Sequence, residues 1–396
     1  MTREVVLAAG QRTAFGDFGK SLKDVPLTDM AAHAAKASLD KAGLQPAQVD
    51  HLVFANTLPV DQDSLFGARV ITLKAGLPVE ASSLQVIRAC GSGSQALASA
   101  AEQIMLGRSD VALAGGAENY SRAPFVVNSG RWGHKRGPQQ LDDALDYCYR
   151  DPFNGEYMGE TAENLAEEYQ YEREPMDEWA LMSQQRAGDA IASGFLARQI
   201  APIEVPDGRG TRVFDTDEFP RPDITTARLE SLKPAFRKGG KVTPGNSSGV
   251  TDGAAFVVAA ARDKVDDLGL TPEARIVDFT TIGVPPHLMG IGPVPAIEKL
   301  LKRNELSVDD IDYWEINEAF AVVNLHAERQ LNIPRERTNL YGGGISIGHP
   351  PGATGVRMTI TAMHHLQDTG GRYAVVSMCL GAGQGMATLI ENLQRS

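Results

Sequence analysis

The chain has 396 residues, 42% of them hydrophobic and 22% charged, with a formal net charge of −12. That length allows two ordinary domains and a large core, and the balance excludes a disordered chain. The negative charge excludes a nucleic-acid partner held by bulk electrostatics, so an anionic ligand needs a local basic patch. Three cysteines, Cys90, Cys148 and Cys379, show neither CxxC nor metal spacing, which favours free thiols in a reducing compartment. The apolar run after Met1 is too short for a signal peptide, and no apolar run approaches membrane-spanning length. The expectation is a cytoplasmic, enzyme-sized protein without a membrane partner.

Residues 4–9 read as a buried strand and 10–16 as a loop. A helix is expected over 29–41, closed by Gly43, followed by a strand over 49–55. Strands at 83–87 and 111–114 flank a helix-favouring run, 95–106. This alternation argues for an α/β domain with a largely parallel sheet. From about 118 to 249 aromatics, Arg, Pro and Gly mix, with helices expected at 159–169 and 175–193. The stretch reads as an inserted loop domain, and its basic residues include Arg131, Lys135, Arg136, Arg221, Arg228 and Lys238. The anion patch is to be sought there, although each arginine alone also fits a solvated face.

After residue 250 the α/β texture returns as an echo. Residues 44–55 and 306–317 share a pattern: Leu, a polar linker, an apolar residue, Asp, then a strand, each preceded by a helical run. Residues 107–115 and 371–379 echo one another in the same order. Two such echoes point to a duplicated unit whose halves pack pseudo-symmetrically. Ligands of α/β folds sit beyond the carboxyl ends of strands, and Cys90, Asn317 and Cys379 each fall at such an end or just past it.

Four stretches carry chemistry. Ile87-Arg88-Ala89-Cys90-Gly91-Ser92-Gly93 reads as strand, small-residue turn and helix start. A thiol placed there has its pKa lowered by free N–H groups and the helix dipole. Gly91 and Gly93 would let a substrate approach the backbone. The same stretch also fits a buried structural cysteine. Asn317 and Glu318 follow an apolar strand directly and need hydrogen-bond partners there. Helix capping by Asn317 is one reading, and an amide that holds a water or polarises a carbonyl is the other. His349 stands alone among the glycines of residues 341–355, suited to activating a thiol near neutral pH. Cys379-Leu380-Gly381-Ala382-Gly383-Gln384-Gly385 has a superficial look of a dinucleotide-binding turn. The acidic residue such a unit requires, roughly twenty positions on, would fall beyond Ser396. A thiol acid/base beside an oxyanion site fits better.

Taken together, these stretches resemble the thiolase family of acyl-CoA C-acyltransferases over essentially the whole chain. Arg12-Thr13, the Cys90 stretch, residues 245–255, 317–320, 348–350 and 379–385 match it in order. The resemblance implies an α/β thiolase fold, two duplicated halves in a five-layered αβαβα arrangement with an inserted loop domain. Its implied parts are residues 1–118 with 250–271, a loop domain over 119–249, and 272–396. It further implies that Cys90 is the nucleophile, His349 its base, and Cys379 the thiol that removes and returns the α-proton. His349, with a water held by Asn317, would form one oxyanion hole, and the N–H groups of Cys90 and Gly381 the other.

Coenzyme A, a substrate and product rather than a cofactor, would lie across the loop domain. Arg221 resembles its adenine-side contact, Ser248 a pantetheine contact, and Met158, Met289 and Phe320 the acyl-pocket lining. Arg228 stands where members often have a small polar residue, and would add a phosphate contact. Tyr157 and Pro351 depart from the usual short-chain pattern at positions that bear on pantetheine contacts and acyl size. No metal or redox cofactor is implied, and at least a homodimer is; residues 122–135 resemble a loop that makes tetramers in some members. The implied reaction, in fatty-acid metabolism, joins two acetyl-CoA to acetoacetyl-CoA and CoA, or cleaves a longer 3-ketoacyl-CoA. Two alternatives stand beside it. A decarboxylating condensing enzyme would replace Cys379 with histidine chemistry, and a non-catalytic acyl-CoA or lipid carrier has no need of both thiols with His349 and Asn317.

Overall fold

The structure, a computed structural model, describes residues 3–394. Its main elements in chain order begin with β1 (Val5–Arg12), α1 (Leu27–Ala42), β2 (His51–Ala55), α2 (Gly67–Lys74), β3 (Ser82–Val86), α3 (Ser92–Met105) and β4 (Val111–Glu118). The loop segment contributes α4 (Met158–Glu168) and α5 (Arg173–Ala192), after which β5 (Thr251–Ala261) returns to the sheet. Then come β6 (Ala274–Gly283), α6 (Pro293–Arg303), β7 (Tyr313–Ile316), α7 (Ala321–Leu331), α8 (Pro351–Thr369), β8 (Tyr373–Leu380) and β9 (Gln384–Asn392).

The strands lie in the order β7-β8-β9-β6-β1-β5-β4-β2-β3, which reads outward from its middle as two copies of one pattern. In the first half β2 runs parallel to β4, β4 antiparallel to β5, and β5 antiparallel to β1. In the second half β7 runs parallel to β8, β8 antiparallel to β9, and β9 antiparallel to β6. The halves meet where β1 pairs with β6 over three residues, Val5 to Leu7. The duplication expected from the two sequence echoes is therefore present strand by strand. Only β3 lacks a full counterpart; the second half has a single parallel bridge, Trp314 to Thr338, in its place.

Side chains alternate across each strand, so one residue of β1 faces inward and the next outward. Val5 and Leu7 join the inner core, Val6 and Ala8 the outer one. On the outer face of the first sheet, α1 and α2 lay Met30, Leu39 and Ile71 against Leu52, Phe54 and Leu113. On the outer face of the second, α6 and α7 lay Ile297, Leu300 and Ala327 against Trp314, Val375 and Leu389. Between the sheets, α3 and α8 bury Leu97, Ile104, Val356 and Ile360 against both inner faces. Those are the five layers. Burying each such aliphatic side chain stabilises the fold by about 1.5–3 kcal/mol. A separate cluster joins α4 and α5 to Met289, Phe320 and Val323.

Three expectations are corrected. The sheet is mixed rather than largely parallel, because the left-handed turn at Ala382 and Gly383 folds β9 straight back on β8, and β5 re-enters antiparallel to both neighbours. Residues 10–12 belong to β1, which continues past an irregularity between Ala8 and Gln11 instead of becoming a loop. Arg12 at its end is fully buried and sits in a two-pronged ion pair with Asp217, 2.7 Å at each prong. Last, β4 runs on through Gly115 and Gly116 to Glu118, four residues past its expected end.

Candidate active site

Cys90 sits in a knotted turn between β3 and α3. Ala89 is held in the left-handed region at φ 44°, a conformation that costs a non-glycine residue energy. The Ser92 hydroxyl secures it, donating to the Ala89 carbonyl at 2.7 Å and accepting from Arg88 N–H at 2.8 Å. Helix α3 then starts at Ser92, three residues earlier than expected, so Cys90 is two residues ahead of it. Gly91 and Gly93 do not serve substrate approach, as expected from the sequence. A Cβ on Gly91 would strike the Leu380 side chain, and one on Gly93 would lie 2.7 Å from the Gly352 carbonyl and 3.0 Å from the Gly355 nitrogen. The first turns of α3 and α8 thus touch main chain to main chain, which brings the loop of His349 beside that of Cys90.

Of the glycines before His349, Gly343 and Gly344 pack tightly on Glu318 and Asn317. Glu318 is fully buried and accepts four hydrogen bonds: from Trp179 Nε1 (3.0 Å), Ser183 Oγ (2.6 Å), Asn339 Nδ2 (3.1 Å) and Ile345 N (3.2 Å). It clamps the histidine loop to α5. Asn317 caps no helix, since α7 begins at Ala321 with Phe320 at its N-cap. Its Nδ2 lies 3.3 Å from His349 Nε2, and its Oδ1 is buried without a partner. His349 Nδ1 lies 2.7 Å from Thr354 Oγ1, whose own proton goes to the Pro350 carbonyl at 2.9 Å. Thr354 therefore accepts from Nδ1–H, and Nε2 carries the lone pair. That is the tautomer a base needs.

A cavity of about 360 Å³ gathers most of the residues singled out from the sequence. Cys90, His349, Gly381, Ser248, Met158, Met289 and Phe320 all line it. Cys379 and Asn317 are not among the lining residues; Cys379 is fully buried, close enough for its thiolate to be opposed by the charge of Cys90. The stretch at 245–249 threads between the two key loops. Ser248 N–H donates to the Ala319 carbonyl at 2.9 Å, and His349 N–H to the Gly249 carbonyl at 3.1 Å. A second pocket, lined by Tyr157, Phe236, Ser247 and Val250, shares Met158, Ser248 and Phe320 with the cavity. Tyr157 stacks under Arg150, whose guanidinium carbon is 4.0 Å from the ring centre. Arg221 and Arg228 lie outside both pockets and are exposed; Arg221 stacks on Phe219 at 5.0 Å.

Burial dominates the electrostatics. It pushes the Cys90 thiol up, and the nearby Glu118 charge adds to that, against the N–H groups of Gly381 and Cys90 itself, which lower it. The expectation that the helix start depresses this thiol is thus overturned, because desolvation outweighs two hydrogen bonds. Burial pushes Cys379 up as well, and drives His349 down to about 3 with help from the positive charge of Arg357. At neutral pH the resting pair is thiol and neutral imidazole, with no preformed thiolate.

Sequence reasoning passed over Glu118, Thr57 and Cys148. Thr57 and Cys148 line the cavity, and Cys148 is pushed up to about 12, chiefly by burial. Glu118 was legible in one respect: an acidic residue closing an apolar strand, the same signal that marked Asn317 and Glu318. Among the described residues no cluster of His, Cys, Asp and Glu is arranged to hold a metal ion, and no helix is long and apolar enough to cross a membrane.

Cys90 and His349 line one cavity, with Asn317 against the histidine and Cys379 buried near Cys90, on a duplicated αβαβα scaffold, an arrangement suited to thiol-dependent acyl transfer. The family described as "Thiolase, N-terminal domain" matches residues 5–263, and "Thiolase, C-terminal domain" matches 270–392, so the chain belongs to the thiolase family of acyltransferases. It is 44% identical to beta-ketothiolase BktB of Cupriavidus necator over 99% of this chain and 100% of that protein. It is 43% identical to the mitochondrial 3-ketoacyl-CoA thiolase of Bos taurus over 99% of each. Among solved structures, human mitochondrial 3-ketoacyl-CoA thiolase superposes with a TM-score of 0.96 at 42% identity, over 98% of this chain and 99% of that one. The same human enzyme in complex with CoA gives 0.95 at 42%, over 98% of each chain.

Proposed function

We propose that this chain catalyses reversible carbon–carbon bond exchange between acyl-CoA thioesters through an acyl-Cys90 intermediate. In the cleavage direction the Cys90 thiol gives its proton to His349 Nε2 and its sulfur attacks the 3-keto carbonyl. The oxyanion on the 3-keto oxygen is held by the N–H groups of Cys90 and Gly381. As the C2–C3 bond breaks, acetyl-CoA departs as an enolate, its oxygen held by His349, now protonated, and by a water on Asn317, and its carbon takes a proton from Cys379. Cys379 then takes the proton of an incoming CoA thiol, whose sulfur attacks the acyl carbon; the same N–H groups hold the oxyanion again, the acyl–Cys90 bond breaks, and the departing thiolate recovers its proton from His349. The acyl oxygen and the enolate oxygen lie at two positions and so require two oxyanion sites, and a carbon acid requires its own base. Coenzyme A enters as substrate and product, and the cycle needs no other cofactor.

The observation that carries this reading is the sharing of one cavity by Cys90, His349 and Gly381, with Cys379 buried near Cys90. Ser248 is assigned to pantetheine, Met158, Met289 and Phe320 to the acyl end, and Arg221 and Arg228 to the nucleotide of CoA. We divide the chain into residues 1–118 with 250–271, the loop segment 119–249, and 272–396; the repeated strand pattern supports that division. Three free thiols suit a reducing compartment such as the cytoplasm. A homodimer suits β3, an edge strand that carries exposed Leu84, with exposed Leu65, Phe66, Val79 and Ile87 around it.

Incubation with acetoacetyl-CoA and CoA, following the loss of enolate absorbance, tests the reaction. The wild type is expected to turn over, and Cys90→Ala to lose roughly 10³-fold or more in kcat. Intact-protein mass spectrometry is expected to show an acyl adduct on the wild type alone; an adduct on Cys90→Ala would overturn the assignment.

A further inference from the structure

Glu118 lies at the end of β4 with its carboxylate fully buried, and no step of the reaction above uses it. Every hydrogen bond it makes is accepted. Its Oε1 takes Thr57 N–H at 2.6 Å, the Thr57 hydroxyl at 2.7 Å and Gly352 N–H at 3.2 Å. Its Oε2 takes Asn56 Nδ2 at 2.9 Å. The donors belong to two different parts of the site. Asn56 and Thr57 extend β2, and Thr57 lines the cavity wall beside Leu58. Gly352 is in the first turn of α8, three residues after His349 and in the other half of the molecule.

The backbone around this carboxylate leaves no slack. A Cβ on Gly116 would meet the Gly352 and Ala55 carbonyls, and one on Gly352 would lie 2.6 Å from the Ala55 carbonyl and 2.7 Å from that of Ala117. A negative charge at the start of a 19-residue helix also meets the positive end of its dipole. We propose that Glu118 is a positioning residue for acyl transfer: it ties the cavity wall at Asn56–Thr57 to the helix start behind His349, and so holds the base in register with Cys90. The inference rests on the roles given above to Cys90 and His349.

Its charge has a second, separable consequence. The ionisable groups near Glu118 are Cys90, Tyr120, Cys148 and Tyr149, and those near Cys90 are Glu118, Cys148, Tyr149 and Cys379, with His349 across the same cavity. Burial pushes both groups up, Glu118 to about 8, and a charge on Glu118 opposes formation of the Cys90 thiolate. Removing that charge makes the Cys90 thiolate easier to form while leaving its base less well held. A residue that merely supports the fold would not split those two quantities.

The experiment compares wild type, Glu118→Gln and Thr57→Val in acetoacetyl-CoA thiolysis and in the pH dependence of Cys90 alkylation by iodoacetamide. Glu118→Gln is expected to lose about ten- to a hundredfold in kcat with KM for CoA within about twofold, because misplacement of a reacting group acts on the chemical step. Its alkylation midpoint is expected to move to lower pH. Thr57→Val keeps the charge, and is expected to lose severalfold in kcat with the midpoint unmoved, Thr57→Ser restoring activity. Wild-type kcat in Glu118→Gln, or an unmoved midpoint in it, overturns the inference. If Glu118→Gln does not fold, unchanged kcat in Thr57→Val overturns it instead. A wild type inactive on the substrate marks the different failure, that of the proposed reaction itself.

Discussion

In the first half of the molecule β2 runs out into Asn56 and β4 ends at Glu118. In the second, β7 runs out into Asn317 and β8 carries Cys379 near its end. The register makes these places equivalent: Ala55 pairs with Gly116 and Ile316 with Ser377, so Glu118 and Cys379 each stand two residues past the last paired position. Each amide therefore has a titratable group on the neighbouring strand, and each leaves its buried Oδ1 without a partner. What differs is where the donors point. Asn56 gives its Nδ2 to Glu118, inside its own half, whereas the Nδ2 of Asn317 faces the base. On the roles proposed above, a duplicated strand end serves as a brace in one half and as a reaction centre in the other. The helix starts diverged differently, since one supplies Cys90 and the other His349, and both face the cavity.

The largest expected effect tests the centre. Cys379→Ser should lower overall turnover by roughly 10³-fold while still forming acyl-Cys90 from acetyl-CoA, because the altered group acts on the α-carbon and not on the carbonyl. Exchange of the acetyl-CoA α-protons into D₂O should fall in step. Intact exchange with blocked acylation would reverse the roles of the two thiols.

The equivalent amides sharpen the contrast. Asn317→Ala is expected to lose about a hundredfold in kcat, the scale of one oxyanion-hole donor, with little change in unfolding free energy. Asn56→Ala should instead cost about 1–3 kcal/mol of stability, as a buried carboxylate loses a donor, with kcat reduced by less than about tenfold. Denaturant unfolding and steady-state kinetics on the pair separate the two. Equal kinetic losses would mean the halves have not diverged in the way their hydrogen bonds indicate.

Acid should act on the whole scaffold. His349 and His364 are held down at about 3 and His326 at about 4, in each case chiefly by burial. An unfolded chain binds these protons near pH 6.5, the folded one only far below. The stabilisation is thus complete above about pH 6.5 and is lost as pH falls towards 4 and 3, by on the order of 3 to 5 kcal/mol for each histidine. Melting temperatures across that window should drop steeply, and His364→Gln should flatten the slope. The smallest effect concerns the loop segment. Arg221→Ala and Arg228→Ala should raise KM for CoA by a few-fold, about 1 kcal/mol, with kcat unchanged, since both arginines are exposed.

Much of the centre was legible because its residue types are unusual where they fall. A histidine among glycines, an amide after an apolar strand and thiols at strand ends each break a local pattern, and their order resembles a known family. The repeat was legible too, since residues 44–55 and 306–317 correspond to β2 and β7, and 107–115 and 371–379 to β4 and β8. Strand direction was not, because a period of two reads the same either way along the chain. Nor was the end of β1, whose Arg12 is neutralised by a partner at position 217. The bracing role of Glu118 depends on Gly352, which lies 234 residues away. Apolar periodicity carries no record of such partners.

The close approach at Gly93, Gly352 and Gly355 sets how this site can vary. Side chains between packed helices can change rotamer and absorb a substitution, but two main chains in contact have nothing to give. The separation of nucleophile and base is therefore gauged by hydrogen atoms at positions that do no chemistry. A single methyl group there acts as a spacer, altering the rate while every reacting group remains in place. A side chain added on the surface meets open space, whereas one added at these three silent positions meets backbone.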